Sequence, residues 1–311
     1  MAVLILTAAL WVMAAACPAG QQSWKWREST SLHFAVAHEA PWAPNGFLVS
    51  LEKMHGRLRM DLGMFTPWMA KERVKLFLYK DVASYRAGEF NPPAWSNGLA
   101  LYELKAVAVP DNPDRKNLMQ VISHEVTHML FRNYWQEAKK EPPAWLNEGL
   151  AMMEEAEAPD HPERTVWYQQ MAVTAPASFM PMEKFAAINP ATDLRQDEAV
   201  KNWYVQAYSV VYFLYRGHQR LQFKNLCAQL RDGKSLDESL WLAYRFHGAA
   251  AFEKAWRQWL GRSEHRNRVE AALAAEPLPS AAETPAHDGK PKDRFAPTTI
   301  KPMNGFKSLR E

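Results

Sequence analysis

The sequence predicts an α+β fold, in which a small mixed N-terminal sheet precedes a mostly helical part. Three observations predict it. Stretches in which apolar and polar residues alternate, the period of a strand, fall within the first 110 residues. Apolar residues at helical spacing dominate the remainder of the chain. The 311 residues are 48% hydrophobic and 23% charged, an ordinary globular composition that excludes a wholly disordered, collagenous or coiled-coil chain. Strands clustered early and helices late is the pattern of α+β rather than of alternating α/β units.

Leu32, Phe34 and Val36 alternate within Ser31 to Ala37, a strand. Phe47, Leu51, Met54, Leu58 and Leu62 recur at helical spacing, so Asn45 to Phe65 is a helix. Arg73 to Tyr79 alternates again, and Leu101 to Val109 is a third strand, stopped by Pro110. Asn112-Pro113-Asp114 is a helix start, with a capping Asn, Pro at the first helical position and Asp in the first turn. That helix runs to about Trp135. Later helices are expected over Pro143 to Ala156, Thr165 to Val173, Glu198 to Gly217, Leu221 to Leu230, Leu236 to Phe246, Ala249 to Leu260 and Glu264 to Ala275.

The two ends differ from this body. Ala2 to Ala16 is an uncharged apolar run, short for a spanning helix and the right length for an export signal over residues 1–19. No Lys or Arg precedes it. Two further readings of the segment stay open: a lipoprotein signal lipidated at Cys17, and an apolar helix retained as a membrane anchor. The chain is accordingly expected to be exported, as a periplasmic, secreted or lipid-anchored protein. From Pro277 to Glu311 the chain is rich in Pro, Ala and charge, the composition of a disordered tail. The folded body is thus 23–276, with an α+β part to about 157 and a helical part from about 158.

Charge and cysteine content narrow the function classes. Lys plus Arg number 37 against 34 Asp plus Glu, a net charge of +3 that gives no reason to expect nucleic acid as a partner. Cys17 and Cys227 are the only cysteines, too few for a disulfide framework or a thiolate metal site. Cys227, in an apolar stretch, reads as a small core residue. Trp256 and Trp259 read as helix packing, and Arg262, Arg266 and Arg268 as a solvated helix face. His33, His38, His55, His161, His218, His247, His265 and His287 have no ligand-like spacing among themselves.

His124-Glu125-Val126-Thr127-His128 is different. It sits in a helix that reads as amphipathic, with Leu118, Ile122, Val126 and Met129 among its apolar positions. Two His four apart on a helix point the same way and make half of a tetrahedral zinc site. Glu125, beside the first, is placed to act as general base on a water without being a ligand. The bland alternative is a polar helix face that binds nothing. A third ligand should come from the next helix, where Glu148 comes twenty residues after His128. A carboxylate among Leu146, Leu150 and Met153 is costly unless it is paired or bound to metal. Glu154 and Glu155 are either partners of the ligands or solvated charges.

His-Glu-Val-Thr-His followed by Trp145-Leu-Asn-Glu-Gly-Leu-Ala151 resembles the gluzincin branch of the zinc metallopeptidases, and most of all the peptidase-MA-like proteins. The resemblance is strong over Gly98 to Glu155 and weaker to about Gly217. It implies a zincin-like domain with one zinc per chain, held by His124, His128 and Glu148. It implies Glu125 as the base that polarises the water, a peptide or protein substrate, and a Tyr near the start of a later helix as donor to the oxyanion. Tyr204 matches that place best, and Tyr208, one turn on, is the alternative. An edge strand over the zinc helix, within Trp95 to Val109, would pair with substrate backbone. The aminopeptidase Glu that binds a substrate amino terminus has no good counterpart; Glu103 is a poor match.

The expected function is therefore a zinc peptidase. Two rivals are a non-catalytic exported zinc-binding scaffold and a zinc hydrolase of a non-peptide amide. Oligomeric state is outside what the sequence states, and a membrane enters only through Cys17 or a retained N-terminal segment.

Overall fold

The computed structural model describes residues 26–39, 45–93, 96–156, 160–215 and 219–275. The expected signal segment and C-terminal tail lie outside the described residues. Arg27–Thr30 (β1) and Phe34–His38 (β2) form an antiparallel pair, followed by the long helix Asn45–Leu62 (α1). Val74–Tyr79 (β3) lies parallel to β2, and the short helix Val82–Arg86 (α2) comes after it. Leu99–Leu101 (β4) and Ala106–Pro110 (β5) come next. Among the described residues these make a five-stranded sheet in the order β1-β2-β3-β5-β4. Its three inner strands are parallel and both edges antiparallel, so the sheet is mixed as expected. Every residue of β5 is buried, as a strand covered on both faces must be.

The third expected strand, Leu101 to Val109, is in fact the last residue of β4, a reversal and most of β5. A tight turn at Tyr102–Leu104, with Lys105 in the left-handed region at φ 47°, folds β4 back on β5. Alternation continues across a short reversal of this kind, so sequence pattern reads the pair as one strand. β1 escapes the pattern because REST has no apolar face to alternate; three of its four residues are exposed.

The helix Arg115–Gln136 (α3) comes after β5 and carries the His pair. Asp114, not Asn112, caps it, accepting a hydrogen bond from the Asn117 N–H at 3.0 Å. Asn112 acts one step earlier and accepts from the Asp114 N–H. Ala144–Glu154 (α4) returns against α3. The helical part then runs through Val166–Val173 (α5), Met182–Ala187 (α6), Pro190–Asp193 (α7), Asp197–Tyr215 (α8), Arg220–Arg231 (α9), Leu236–Tyr244 (α10), Gly248–Leu260 (α11) and Ser263–Ala275 (α12). All the later helices expected from spacing are present, with α6 and α7 added. Cys227, Trp256 and Trp259 are core residues, as their sequence context suggests. No described helix is long and apolar enough to cross a membrane.

Two features set the position of α4. Gly149 meets α8 so closely that a Cβ there would stand 2.4 Å from the Ala207 carbonyl oxygen and 2.5 Å from a Val211 methyl. At the far end of α4, buried Glu154 shares a charged pocket with Arg57 and Asp61 of α1 and Arg220 of α9. Arg220 Nη2 donates to Asp61 at 2.5 Å, and Arg57 Nη2 donates to Ser123 of α3 at 2.7 Å. Burial, and then the charge of Asp61, lift Glu154 from 4.5 to about 8 against the pull of the two arginines.

Gly149→Ala forces α4 from α8 and should cost about 1–3 kcal/mol in urea unfolding, the scale of overpacking a core; an unchanged midpoint would contradict this contact. Between the unfolded and folded values the native Glu154 holds a proton that the unfolded chain has released. Its contribution is therefore best below about pH 4.5 and is lost as pH rises toward 8. In Glu154→Gln the fall in melting temperature from pH 5 to pH 8 should be shallower than in the parent.

Candidate active site

The middle of α3 is buried on every side: each residue from Ile122 to Phe131 is buried, His124, Glu125 and His128 included. This differs from the amphipathic helix expected, and it changes the chemistry. Polar side chains in such a place are unfavourable unless something satisfies them. α4 supplies Glu148, also buried, and the fold thereby brings the four expected residues together.

The His124 and His128 rings stand nearly perpendicular, at 87°, with their Nε2 atoms 3.0 Å apart. Glu148 Oε2 lies 3.8 Å from His124 Nε2 and 3.7 Å from His128 Nε2. It has no hydrogen-bond partner, and neither has Glu125 Oε1. A triangle of these sides has its centre about 2.0 Å from each corner, within the range of bond lengths zinc keeps to imidazole nitrogen and carboxylate oxygen. The three donors thus fit one small dication at a single point, and their orphaned oxygen is explained by it.

A second group, His33, Glu52 and His55, also comes together in space although its spacing gives no sign of it. It fits a metal poorly. The two rings are stacked at 3.8 Å and 11°, so their lone pairs lie in parallel planes that one ion cannot share. Its donors are also engaged: Glu52 accepts from the His33 backbone N–H and pairs with His33 Nδ1, and His55 Nε2 donates to the Met69 carbonyl.

Around the first cluster the electrostatics are uneven. Burial would depress His124, but the Glu155 hydrogen bond and the charges of Glu155, Glu148 and Glu125 outweigh it and raise the ring to about 9. Burial and the neighbouring His124 charge lower His128 to about 3. Burial raises Glu125 and Glu148, each to about 7, with His124 opposing. Carboxylates so desolvated favour any cation that can replace the shared proton.

Glu155 separates from Glu154 here. Its Oε1 lies 2.7 Å from His124 Nδ1, which turns Nε2 toward the cluster, and its Oε2 accepts from Trp167 Nε1 at 2.8 Å. Glu154 instead belongs to the charged pocket behind α4. A signal is present in the spacing, since Glu155 lies seven residues beyond Glu148, two helical turns on the same face. Ser123, next to His124, is held by Arg57 and donates to the Glu154 carbonyl. Neither tie is visible in sequence, because Arg57 comes from α1.

β4 lies at the sheet edge beside Glu125, whose carboxylate accepts from the Ala100 N–H. Tyr85 of α2 pairs with buried Ser96 at 2.9 Å and so anchors the approach to β4. Gly98 is required next: a Cβ there would fall 2.6 Å from Glu125 Cγ. Tyr204 is buried on α8, but two turns into that helix rather than at its start. Its ring lies 6.4 Å from that of Trp167, the residue that holds Glu155, so Tyr204 borders the site through Trp167. Tyr208 is committed elsewhere, hydrogen-bonded to Thr165 and stacked on Tyr212.

Glu155→Gln should weaken metal binding by about 10–100-fold, the usual cost of losing a ligand's orienting partner. Competition with a chromophoric chelator would measure it, and an unchanged affinity would remove Glu155 from the metal's support.

Residues 58–262 match the family model described as the Peptidase MA superfamily. No match to a curated protein was found.

Proposed function

Because the chain belongs to the peptidase MA superfamily and carries its peptidase domain, we propose that it is a zinc-dependent peptidase of the gluzincin type. The observation that carries this reading is the triangle of His124 Nε2, His128 Nε2 and Glu148 Oε2, formed where the buried middle of α3 meets α4. His124, His128 and Glu148 would hold one zinc per chain. Zinc held there supplies a Lewis acid that acidifies water and polarises a carbonyl.

The chain's own residues do the rest. Glu125 takes a proton from the attacking water as the water oxygen bonds to the scissile carbonyl carbon. It delivers that proton to the amine nitrogen as the carbon–nitrogen bond breaks. The support for this role is its position: Ala100 and Gly98 confine the carboxylate from the β4 side, and burial gives it a proton affinity near neutrality, where a base that must also release its proton works best. Tyr204 donates to the oxyanion. Glu155 fixes the tautomer of His124 and so the direction of its lone pair. Edge strand β4 offers its backbone to an extended peptide, which would give affinity with little demand on side chains. A structural zinc site needs no Glu125, which favours catalysis over a scaffold. The uncharged run Ala2 to Ala16 supports export of the protein.

Metal analysis and peptide cleavage together test the reading. Wild type should bind about one zinc per chain and cleave peptides, His128→Ala should lose the metal, and Glu125→Gln should keep the metal while turnover falls below detection. A Glu125→Gln protein as active as wild type, or a folded wild type that takes up no zinc, would overturn it.

A further inference from the structure

One turn beyond His128 on α3 stands Arg132, on the same face of the helix as the two His. Its guanidinium carbon lies 4.0 Å above the ring of Tyr102, the first residue after β4. Arg132 and Tyr102 belong to the site's electrostatic surroundings: the charge of Arg132 bears on His128, and those of Glu125 and Glu148 bear on Tyr102. Stacking on the ring fixes the plane of the fork. Its Nη2 already holds a carboxylate, that of exposed Glu141 in the α3–α4 connection, at 2.6 Å. Gln136 Nε2 donates to the same oxygen at 3.0 Å.

We infer that Arg132, oriented by Tyr102, is a specificity-determining residue that receives a carboxylate of the substrate, with Glu141 occupying that place until substrate displaces it. This rests on the peptidase reading above. The side chains at the His pair are otherwise rich in acid, with Glu125, Glu148 and Glu155, so a substrate carboxylate has reason to seek the guanidinium one turn along α3. The four residues from His128 to Arg132 advance about 6 Å along the helix axis, and an extended peptide advances about 3.3 Å per residue. The carboxylate should therefore sit about two residues from the scissile bond. It is either an Asp or Glu side chain or the peptide's own C-terminus, the same chemistry from two sources. Lysine would not serve equally, because a planar fork receives a carboxylate through two parallel hydrogen bonds.

The test uses the full-length, zinc-loaded protein carrying Glu125→Gln, so that peptides bind without turnover. The probes are labelled nonapeptides, acetylated and amidated, with one Asp walked through every position beside its Asn counterpart, and a second set with free C-termini. Fluorescence anisotropy should show Asp, at one or two positions, binding about tenfold tighter than Asn. A gain confined to the free C-terminus would identify the terminal carboxylate as the source. Adding Arg132→Gln should abolish the preference, Arg132→Lys should keep part of it, and Glu141→Gln should enlarge it. A purely structural Arg132–Glu141 tie predicts the opposite for Glu141→Gln, with weaker or unchanged binding. Arg132→Lys and Glu141→Gln decide the matter should Arg132→Gln fail to fold. If wild type cleaves peptides but the Asp-to-Asn ratio is the same in Arg132→Gln as in its parent, the subsite is wrong and the peptidase reading stands. If no peptide binds and wild type cleaves none, both fall.

Discussion

Two imidazoles and two carboxylates are withdrawn from water around the middle of α3, and most of the surrounding structure answers to that. His124, Glu125 and His128 lie on a helix buried on every side, and Glu148 arrives from a second helix with an oxygen that nothing in the protein satisfies. Removing such groups from solvent is expensive, and hydrogen bonds alone do not offset it here. A dication held at the centre of the triangle would. The perpendicular rings and the stacked pair at His33 and His55 make the contrast plain: both groups gather two His and a Glu, but in one of them alone do the lone pairs converge.

The rest of the fold holds that centre still. α4 presses against α8 through Gly149, which fixes the height of Glu148 beside the His pair. Glu155 and Trp167 orient His124 from α4 and α5. Arg57, reaching from α1, pins Ser123 in the preceding turn of α3. On the open side β4 sets Glu125 through the Ala100 N–H, and its own approach is anchored by Tyr85 and Ser96. Glu125 and the His–His–Glu triangle are therefore steadied from different layers, the Glu125 carboxylate by the sheet edge and the triangle by the helix pair. That separation would let an acid–base group at Glu125 be confined without strain on a metal held by the triangle.

The same arrangement gives the site its electrostatic character. Acidic groups crowd the His pair, and a guanidinium stands one turn away, stacked on the first residue after the edge strand. A peptide laid along β4 would meet the base near Gly98 and Ala100 and the cation near Tyr102. Backbone pairing and a single charge contact would then divide the work, the first holding any extended chain and the second selecting among them.

The sequence by itself determined the α+β order of elements, nearly every long helix, and the four residues at the centre. These are properties of local period: i,i+4 spacing puts two His on one face, and alternation or 3.6-residue spacing separates strand from helix. The seven-residue step from Glu148 to Glu155 is equally local, yet it cannot say whether Glu154 or Glu155 serves His124, because that depends on how α4 is rotated against α3. The sharp reversal at Tyr102–Leu104 is hidden for a related reason, since alternation continues across it and only pairing with β5 shows two strands. The tertiary structure alone decided that the middle of α3 is buried all round, that His33 and His55 stack, that Arg57 reaches Ser123 and that Arg132 lies on Tyr102. Each of these joins residues from separate elements, and their meeting is set by packing between elements, on which the order of residues along the chain is silent.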